Sequence, residues 1–155
     1  MKNVIILDLD GVLITTPTWK ADEMDFDGYS VFNKKCVENF NKLTEDLECE
    51  LWLSSTRRMN KTLQEFREIF INRNIKTEIK GFLPNGDYQI SRRKEIEAFL
   101  SHEPINNFLI LDDDSSLHNL EEKYKKYWVQ TSLLVGFNSE KLKQAQEIIK
   151  TLWKD

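Results

Sequence analysis

The stretch V-I-I-L-D-L-D-G-V-L, Val4 to Leu13, decides how this chain is read. Val4 to Leu7 is a continuous apolar run rich in β-branched residues, the pattern of a strand buried on both faces. Strands of that kind belong to parallel sheets covered by helices. The run ends on Asp8, and Asp10 and Gly11 follow closely. Side chains alternate along an extended chain, so Asp8 and Asp10 are expected on one side. Two carboxylates held together at the end of a buried strand can divide labour. One attacks while the other handles protons.

The same alternation of strand and helix runs through the rest of the chain. Val31, Phe32, Cys36, Val37, Phe40 and Leu43 recur at helical spacing and predict a helix within residues 31–47. Leu51–Leu53 reads as a second strand, ending at Ser54-Ser55-Thr56. Residues 60–70 predict a helix with Leu63, Phe66, Ile69 and Phe70 on one face. Thr77–Ile79 is a third candidate strand, and Pro84, Asn85-Gly86 and Asp87 mark residues 81–88 as a turn or loop. Ser91 is placed to cap a helix carrying Ile96, Phe99 and Leu100. Phe108–Leu111 is a fourth strand, again ending on acids, Asp112-Asp113-Asp114. Trp128 and Val129 form a fifth, and Ser139 is placed to cap a last helix reaching about Trp153. No repeat, low-complexity segment or linker interrupts the pattern. The expectation is one three-layer, Rossmann-like α/β domain over residues 1–155, with a mostly parallel five-stranded sheet.

The bulk numbers exclude several classes. A net charge of -4 gives no global attraction to nucleic acid. Cys36 and Cys49 lack the spacing of a zinc or redox pair and read as free thiols of a reducing compartment. Asp8 and Asp10 interrupt the N-terminal apolar run, which is therefore not read as a signal peptide, and no window approaches a membrane span. The expected location is the cytoplasm. His102 and His118 are isolated, and no glycine-rich phosphate loop supports nucleotide-driven kinase chemistry. The oligomeric state is not legible.

In an open α/β sheet, ligands bind at the carboxyl ends of the strands. Asp8 and Asp10 lie at one such end, Ser54 with Arg57 and Arg58 at another, and Asp112 with Asp113 at a third. Arg92, Arg93 and Lys94 open the helix before that last strand. Carboxylates packed together repel, so they take up protons or share a cation. Carboxylate and carbonyl oxygens suit magnesium.

V-I-I-L-D-L-D-G-V-L resembles the first motif of the haloacid dehalogenase (HAD) superfamily of phosphohydrolases. L-W-L-S with Ser54 resembles the second, a basic residue within S-R-R-K-E-I the third, and L-I-L-D-D the fourth. The segments L-S-S-T-R, R-R-K-E-I-E-A-F-L, L-I-L-D-D-D and W-V-Q-T, with the later Gly136, resemble the HAD domain of Swiss Army Knife RNA-repair proteins. The resemblance implies a magnesium-dependent phosphomonoesterase. By position, Asp8 is then the nucleophile that forms an aspartyl phosphate, and Asp10 the acid and base. Magnesium is held by Asp8, the Asp10 backbone carbonyl and Asp113. Asp112 is its neighbour or alternative, and Asp114 a loop residue or cap. Ser54 donates to a phosphoryl oxygen, with Ser55 and Thr56 as possible substitutes. Helix position favours Arg92 as the phosphate-binding cation of the third motif, whereas residue type favours Lys94. Arg57 reaches phosphate, orients the loop, or is an ordinary surface arginine.

The gap between the first and second motifs is about 40 residues and holds no full cap domain, only a small flap and helix over about residues 12–49. By resemblance to capless members the site is open and admits macromolecular ends. Arg57, Arg58, Lys61 and Arg92 to Lys94 are candidates for a basic rim. Lys123 to Trp128 mixes cations with aromatics, which suits single-stranded nucleic acid, or else packs as a strand with solvated lysines. Trp19, Met24, Phe26 and Tyr29 form a substrate-facing flap or cover the sheet edge. Nucleic-acid ends, a small metabolite or nucleotide, and a non-catalytic phosphate-binding or partner module stay open at this level. The intact acids favour an enzyme.

Overall fold

The computed structural model describes residues 1–84 and 90–155. The apolar run at the N-terminus is the central strand of its sheet. β1 (Lys2–Leu7) buries Val4 to Leu7 completely and pairs in parallel with β2 (Glu50–Leu53) on one side and β4 (Ile105–Asp112) on the other. β3 (Ile79–Phe82) and β5 (Trp128–Gln130) take the edges. Among the described residues the five strands form one sheet of order β3-β2-β1-β4-β5, parallel at every pairing.

Because side chains alternate across a strand, the sheet feeds two cores. Ile5, Leu7, Leu51, Leu53, Leu109 and Leu111 face one layer of helices: α1 (Lys34–Thr44), α2 (Leu63–Asn72) and, the fifth along the chain, α5 (Ser139–Leu152). Val4, Ile6 and Ile110 face α3 (Arg92–His102) through Ile96, Phe99 and Leu100, together with Tyr124 of the single-turn α4 (Glu122–Lys125). This is the expected three-layer arrangement. Chain order runs outward from β1 to β3, then returns to β4 beside β1. The topological switch point therefore lies between β1 and β4, where ligands of such folds bind.

Local chemistry moves several boundaries. The first helix begins at Lys34 rather than near Val31, because the Asn33 side chain accepts from Cys36 N–H at 3.0 Å and caps it there. α2 begins at Leu63, fixed by a reciprocal capping box of Thr62 and Glu65. β3 starts at Ile79, so Thr77 lies outside it, and it contains Gly81, which the sequence suggests as a turn residue. A Cβ on Gly81 would stand 2.7 Å from the Trp52 ring, so close approach of the neighbouring strand requires glycine there. Asn138, not Ser139, caps the last helix, accepting from Lys141 N–H at 3.0 Å. The Asn85-Gly86 turn falls outside the described residues. No helix among the described residues is long and apolar enough to cross a membrane.

Within the expected flap-and-helix segment, α1 belongs to the layer that covers the sheet. The extra material is the segment over residues 15–33. It folds back on itself, with Val31 N–H on Glu23 O and Asp25 N–H on Tyr29 O, both at 2.8 Å. It returns to the fold where Asn33 N–H meets Leu13 O at 2.7 Å.

Candidate active site

Neighbouring strands end in step at the switch point. Asp8 N–H donates to Leu111 O at 3.0 Å, and Ser54 N–H to Leu7 O at 2.8 Å. Asp8, Ser54 and Asp112 are thereby brought to one end of three adjacent strands. After Leu7 the chain leaves the sheet. Val12, Leu13 and Ile14 all donate their N–H groups to Leu9 O at 2.9–3.1 Å, closing a tight turn. The alternation argument therefore does not apply at Asp10. The carboxylates that converge are Asp8, Asp112 and Asp113, whose oxygens lie within 4.8 Å of one another. Gly11 makes room for this. Its φ is +80°, and a Cβ there would sit 2.2 Å from Asp113 Oδ2.

Asp112 is wholly buried. Its Oδ2 accepts from Arg92 Nη1 at 2.7 Å and its Oδ1 from Asp114 N–H at 2.9 Å. Each Asp112 oxygen thus accepts one hydrogen bond, as Asp8 Oδ1 does from Leu9 N–H at 2.8 Å, and each of the three acids still offers an oxygen toward a shared cation. Asp114 caps the 3₁₀ turn of residues 115–119 through Ser116 N–H. Burial, then the charge of Asp112, pushes the Asp8 carboxyl well above the usual carboxylate range, with Arg92 opposing. Asp113 is raised by the same two causes. A buried acid excess of this kind takes up a proton or a cation, and an all-oxygen donor set fits a hard divalent ion such as magnesium.

The two candidates for the third motif separate. Arg92 is buried and directs Nη1 to Asp112 at 2.7 Å and to Asp8 at 3.5 Å. Lys94 is exposed and lines a groove with Ile90, Ala98 and His102, a lining that includes none of the clustered acids. Ser54 is fully buried, and its Oγ has no hydrogen-bond partner among the described residues. That is uncommon for a buried hydroxyl and suits a group awaiting a ligand. Ser55 Oγ is committed to Arg57 N–H at 3.2 Å, and Thr56 is exposed.

Asp10 stands apart from the acidic cluster. Arg57 grips it with a fork, Nε to Oδ2 at 2.8 Å and Nη2 to Oδ1 at 3.0 Å. The remaining donors of Arg57 go to Asp22, Tyr29 and Ser30. All five guanidinium N–H groups are thus engaged within the chain. With its donors engaged in this way, Arg57 joins Asp10 to Asp22, Tyr29 and Ser30.

Sequence reasoning misses the buried roles of two residues, Arg58 and Glu95. Arg58, expected at a basic rim, is buried. It donates to the carbonyls of Leu83 and Ser55 at 3.0 Å each, bonds Ser54 O, and pairs with Glu95. Glu95 in turn lies 3.9 Å from Arg92. A buried line of charge thus runs from Asp112 through Arg92, Glu95 and Arg58 to the backbone beside Ser54. Charged residues in a helix and a loop read as surface, so no local signal announces it.

The rest of the expected rim is largely spent internally. Arg93 pairs with Glu97 at 3.0 Å, Lys61 approaches Glu65 at 3.9 Å, and Lys123 approaches Glu121 at 3.4 Å. Tyr124 and Tyr127 pack their rings on Phe108, and Trp128 Nε1 donates to Asp112 O at 2.9 Å. The segment from Lys123 to Trp128 therefore packs as structure. On the flap, Tyr29 turns inward against Phe66, whereas Trp19, Met24 and Phe26 are exposed.

Comparison with known proteins yields one family. The sequence model described as "HAD domain in Swiss Army Knife RNA repair proteins" matches residues 4–142. No curated protein and no solved structure matches the chain. The family match covers most of the sequence and every strand end described above. The chain belongs to this HAD family, which points to a phosphohydrolase type of protein.

Proposed function

We propose that this HAD-family chain is a magnesium-dependent phosphomonoester hydrolase that works through an aspartyl phosphate and acts on nucleic-acid ends. One observation carries the chemistry. A buried surplus of carboxylate at the β1/β4 switch point meets a buried arginine, and the neighbouring strand ends on a buried hydroxyl without a partner among the described residues.

Asp8, Asp113 and the main-chain carbonyl of Asp10 would hold magnesium, which when bound neutralises the phosphate so that an anionic nucleophile can approach. The Asp8 carboxylate attacks phosphorus. The bond to the ester oxygen breaks as Asp10 delivers its proton to that oxygen, so the alcohol leaves neutral. Ser54 Oγ–H donates to a phosphoryl oxygen. Arg92 pairs with Asp112 and adds positive charge beside Asp8. In the second half, Asp10 takes a proton from water, which attacks the phosphorus of the aspartyl phosphate and frees Asp8.

The description of the family supports nucleic-acid ends as substrate, and exposed Trp19 and Phe26 are residues on which bases stack. A second reading, a small-metabolite or nucleotide phosphatase, is favoured by the pairing of the rim cations Arg57, Arg58 and Arg93 with acids of the chain. Phosphate release separates the two. The substrates are a 3'-phosphorylated oligonucleotide, its 5'-phosphorylated twin and an aryl phosphate, each with magnesium and with EDTA. Magnesium-dependent release from one oligonucleotide end, well above the aryl phosphate, is expected. Release from the aryl phosphate alone supports the second reading, and release from none leaves a non-catalytic module.

A further inference from the structure

We propose that Arg57 is a positioning residue that couples the segment of residues 15–33 to the proton shuttle at Asp10; the inference rests on the phosphatase reading above. The geometry is specific. One edge of the guanidinium holds both Asp10 oxygens at 2.8 and 3.0 Å. The rest reaches Asp22 Oδ2 at 3.0 Å, Tyr29 OH at 3.2 Å and Ser30 Oγ at 3.2 Å. Ser30 Oγ–H also donates to Asp22 Oδ2 at 2.5 Å, and the Tyr29 ring lies 5.6 Å from the guanidinium carbon. Every side-chain contact of this fork other than Asp10 therefore comes from the 15–33 segment.

That segment is itself held firmly. Arg73 of the α2 C-terminus takes Asp27 at 2.6 and 3.0 Å, Ser30 O at 2.9 Å and Tyr29 O at 3.2 Å. Ser30 is thus bound from two sides, by its hydroxyl to Arg57 and by its carbonyl to Arg73. A bidentate arginine fixes the plane of a carboxylate, which a lysine does not do. An acid that must place a proton within hydrogen-bond reach of a leaving oxygen depends on that plane. The same segment exposes Trp19, Met24 and Phe26.

A role in proton delivery has a signature that phosphate binding and simple fold support lack. Loss of a general acid hurts substrates with basic leaving groups and spares those with good ones. The test is kcat and KM on phosphate monoesters of graded leaving-group pKa, from p-nitrophenyl to alkyl, with magnesium. Wild type, Asp10→Asn, Arg57→Met, Arg57→Lys and Asp22→Asn are compared. Asp10→Asn defines the steepened dependence. Arg57→Met is expected to follow it, with kcat down about 100-fold on the alkyl ester, less than about 5-fold on the aryl ester, and KM within about 3-fold. Arg57→Lys is expected to recover only part, because it restores charge without the fork. Asp22→Asn, which does not touch Asp10, is expected to show the same slope with a loss of about 3- to 10-fold on the alkyl ester. If Arg57→Met does not fold, Arg57→Lys and Asp22→Asn decide.

Equal loss across the series, a raised KM with unchanged slope, or no loss would overturn the role of Arg57 while leaving the phosphatase reading intact. Wild-type behaviour of Asp22→Asn would overturn the coupling to the segment. A wild-type protein that releases no phosphate from any ester would overturn the phosphatase reading, and this role with it.

Discussion

Two arginine–carboxylate clusters sit side by side in this fold. The central one sets Asp8, Asp112, Asp113 and Glu95 against Arg92 and Arg58. The flanking one sets Asp10, Asp22, Asp25 and Asp27 against Arg57 and Arg73. Each opposes four carboxylates to two guanidiniums. Burial is what separates them. Side chains of Asp8 and Asp112 are 7% and 0% exposed, whereas those of Asp10 and Asp22 are 42% and 27% exposed. Water screens the flanking surplus; hydrogen bonds from Ser30 and then Arg57 hold Asp22, and the fork of Arg73 holds Asp27, below the usual carboxylate range. In the centre, lost hydration pushes Asp8 and Asp113 the other way. The same ratio of charges makes a clamp in one place and a site short of positive charge in the other.

The strongest test of that contrast is Asp8→Asn. Turnover should fall by at least about a thousandfold, as for loss of a nucleophile. The metal-free variant should nevertheless melt above wild type at pH 7, because a buried surplus charge is gone. The sign follows from linkage. Between the unfolded carboxylate value of about 4 and the raised folded one, the native state holds more protons, so wild-type stability falls as pH rises. A lower melting temperature for Asp8→Asn would mean that the centre is balanced after all.

Magnesium should remove the same deficit. Saturation at about a hundred times the dissociation constant stabilises by about 2.7 kcal/mol, read as a rise in melting temperature. Asp113→Ala should abolish most of that rise. An unchanged rise would reassign the ligand to Asp112.

The flanking cluster should respond as structure. Arg73→Met removes the guanidinium donors to the carbonyls of Ile69, Tyr29 and Ser30 and the partner of Asp27, and should cost about 2–3 kcal/mol by denaturant unfolding. Its response to magnesium should stay that of wild type. The smallest effect concerns pH. Asp27 is depressed by Arg73, so its contribution is present above the unfolded value of about 4 and lost as pH falls through the folded one. The stability difference between wild type and Asp27→Asn should therefore shrink on acidification below about pH 4. A difference that grows would reverse the assignment.

Most of the fold is legible in the sequence because its signals are short-range. Continuous apolar runs mark β1, β2 and β4, and the acids Asp8, Asp112 and Asp113 follow directly upon two of those runs. Helix faces at Phe66 and Phe70, or at Ile96 and Phe99, are periodic and local. Boundaries slip where one contact decides, as at Asn138 for α5 and at Gly81 under the Trp52 ring.

Partner choice is of another kind. Arg57 meets Asp10 across 47 positions and Arg58 meets Glu95 across 37. Arg57, Arg58, Arg92 and Lys94 are interchangeable in a pattern of charge, yet one holds the acid Asp10, one supports the backbone beside Ser54, one lies among the carboxylates and one faces solvent. The sequence by itself determined the strands, their helical layers and which acids stand at the strand ends, since apolar periodicity and strand length encode these locally. Only the tertiary structure decided which acids converge, which arginine each one meets and how much water remains between them. Those are properties of distance and burial, and they set whether a carboxylate clamps a loop or awaits a cation.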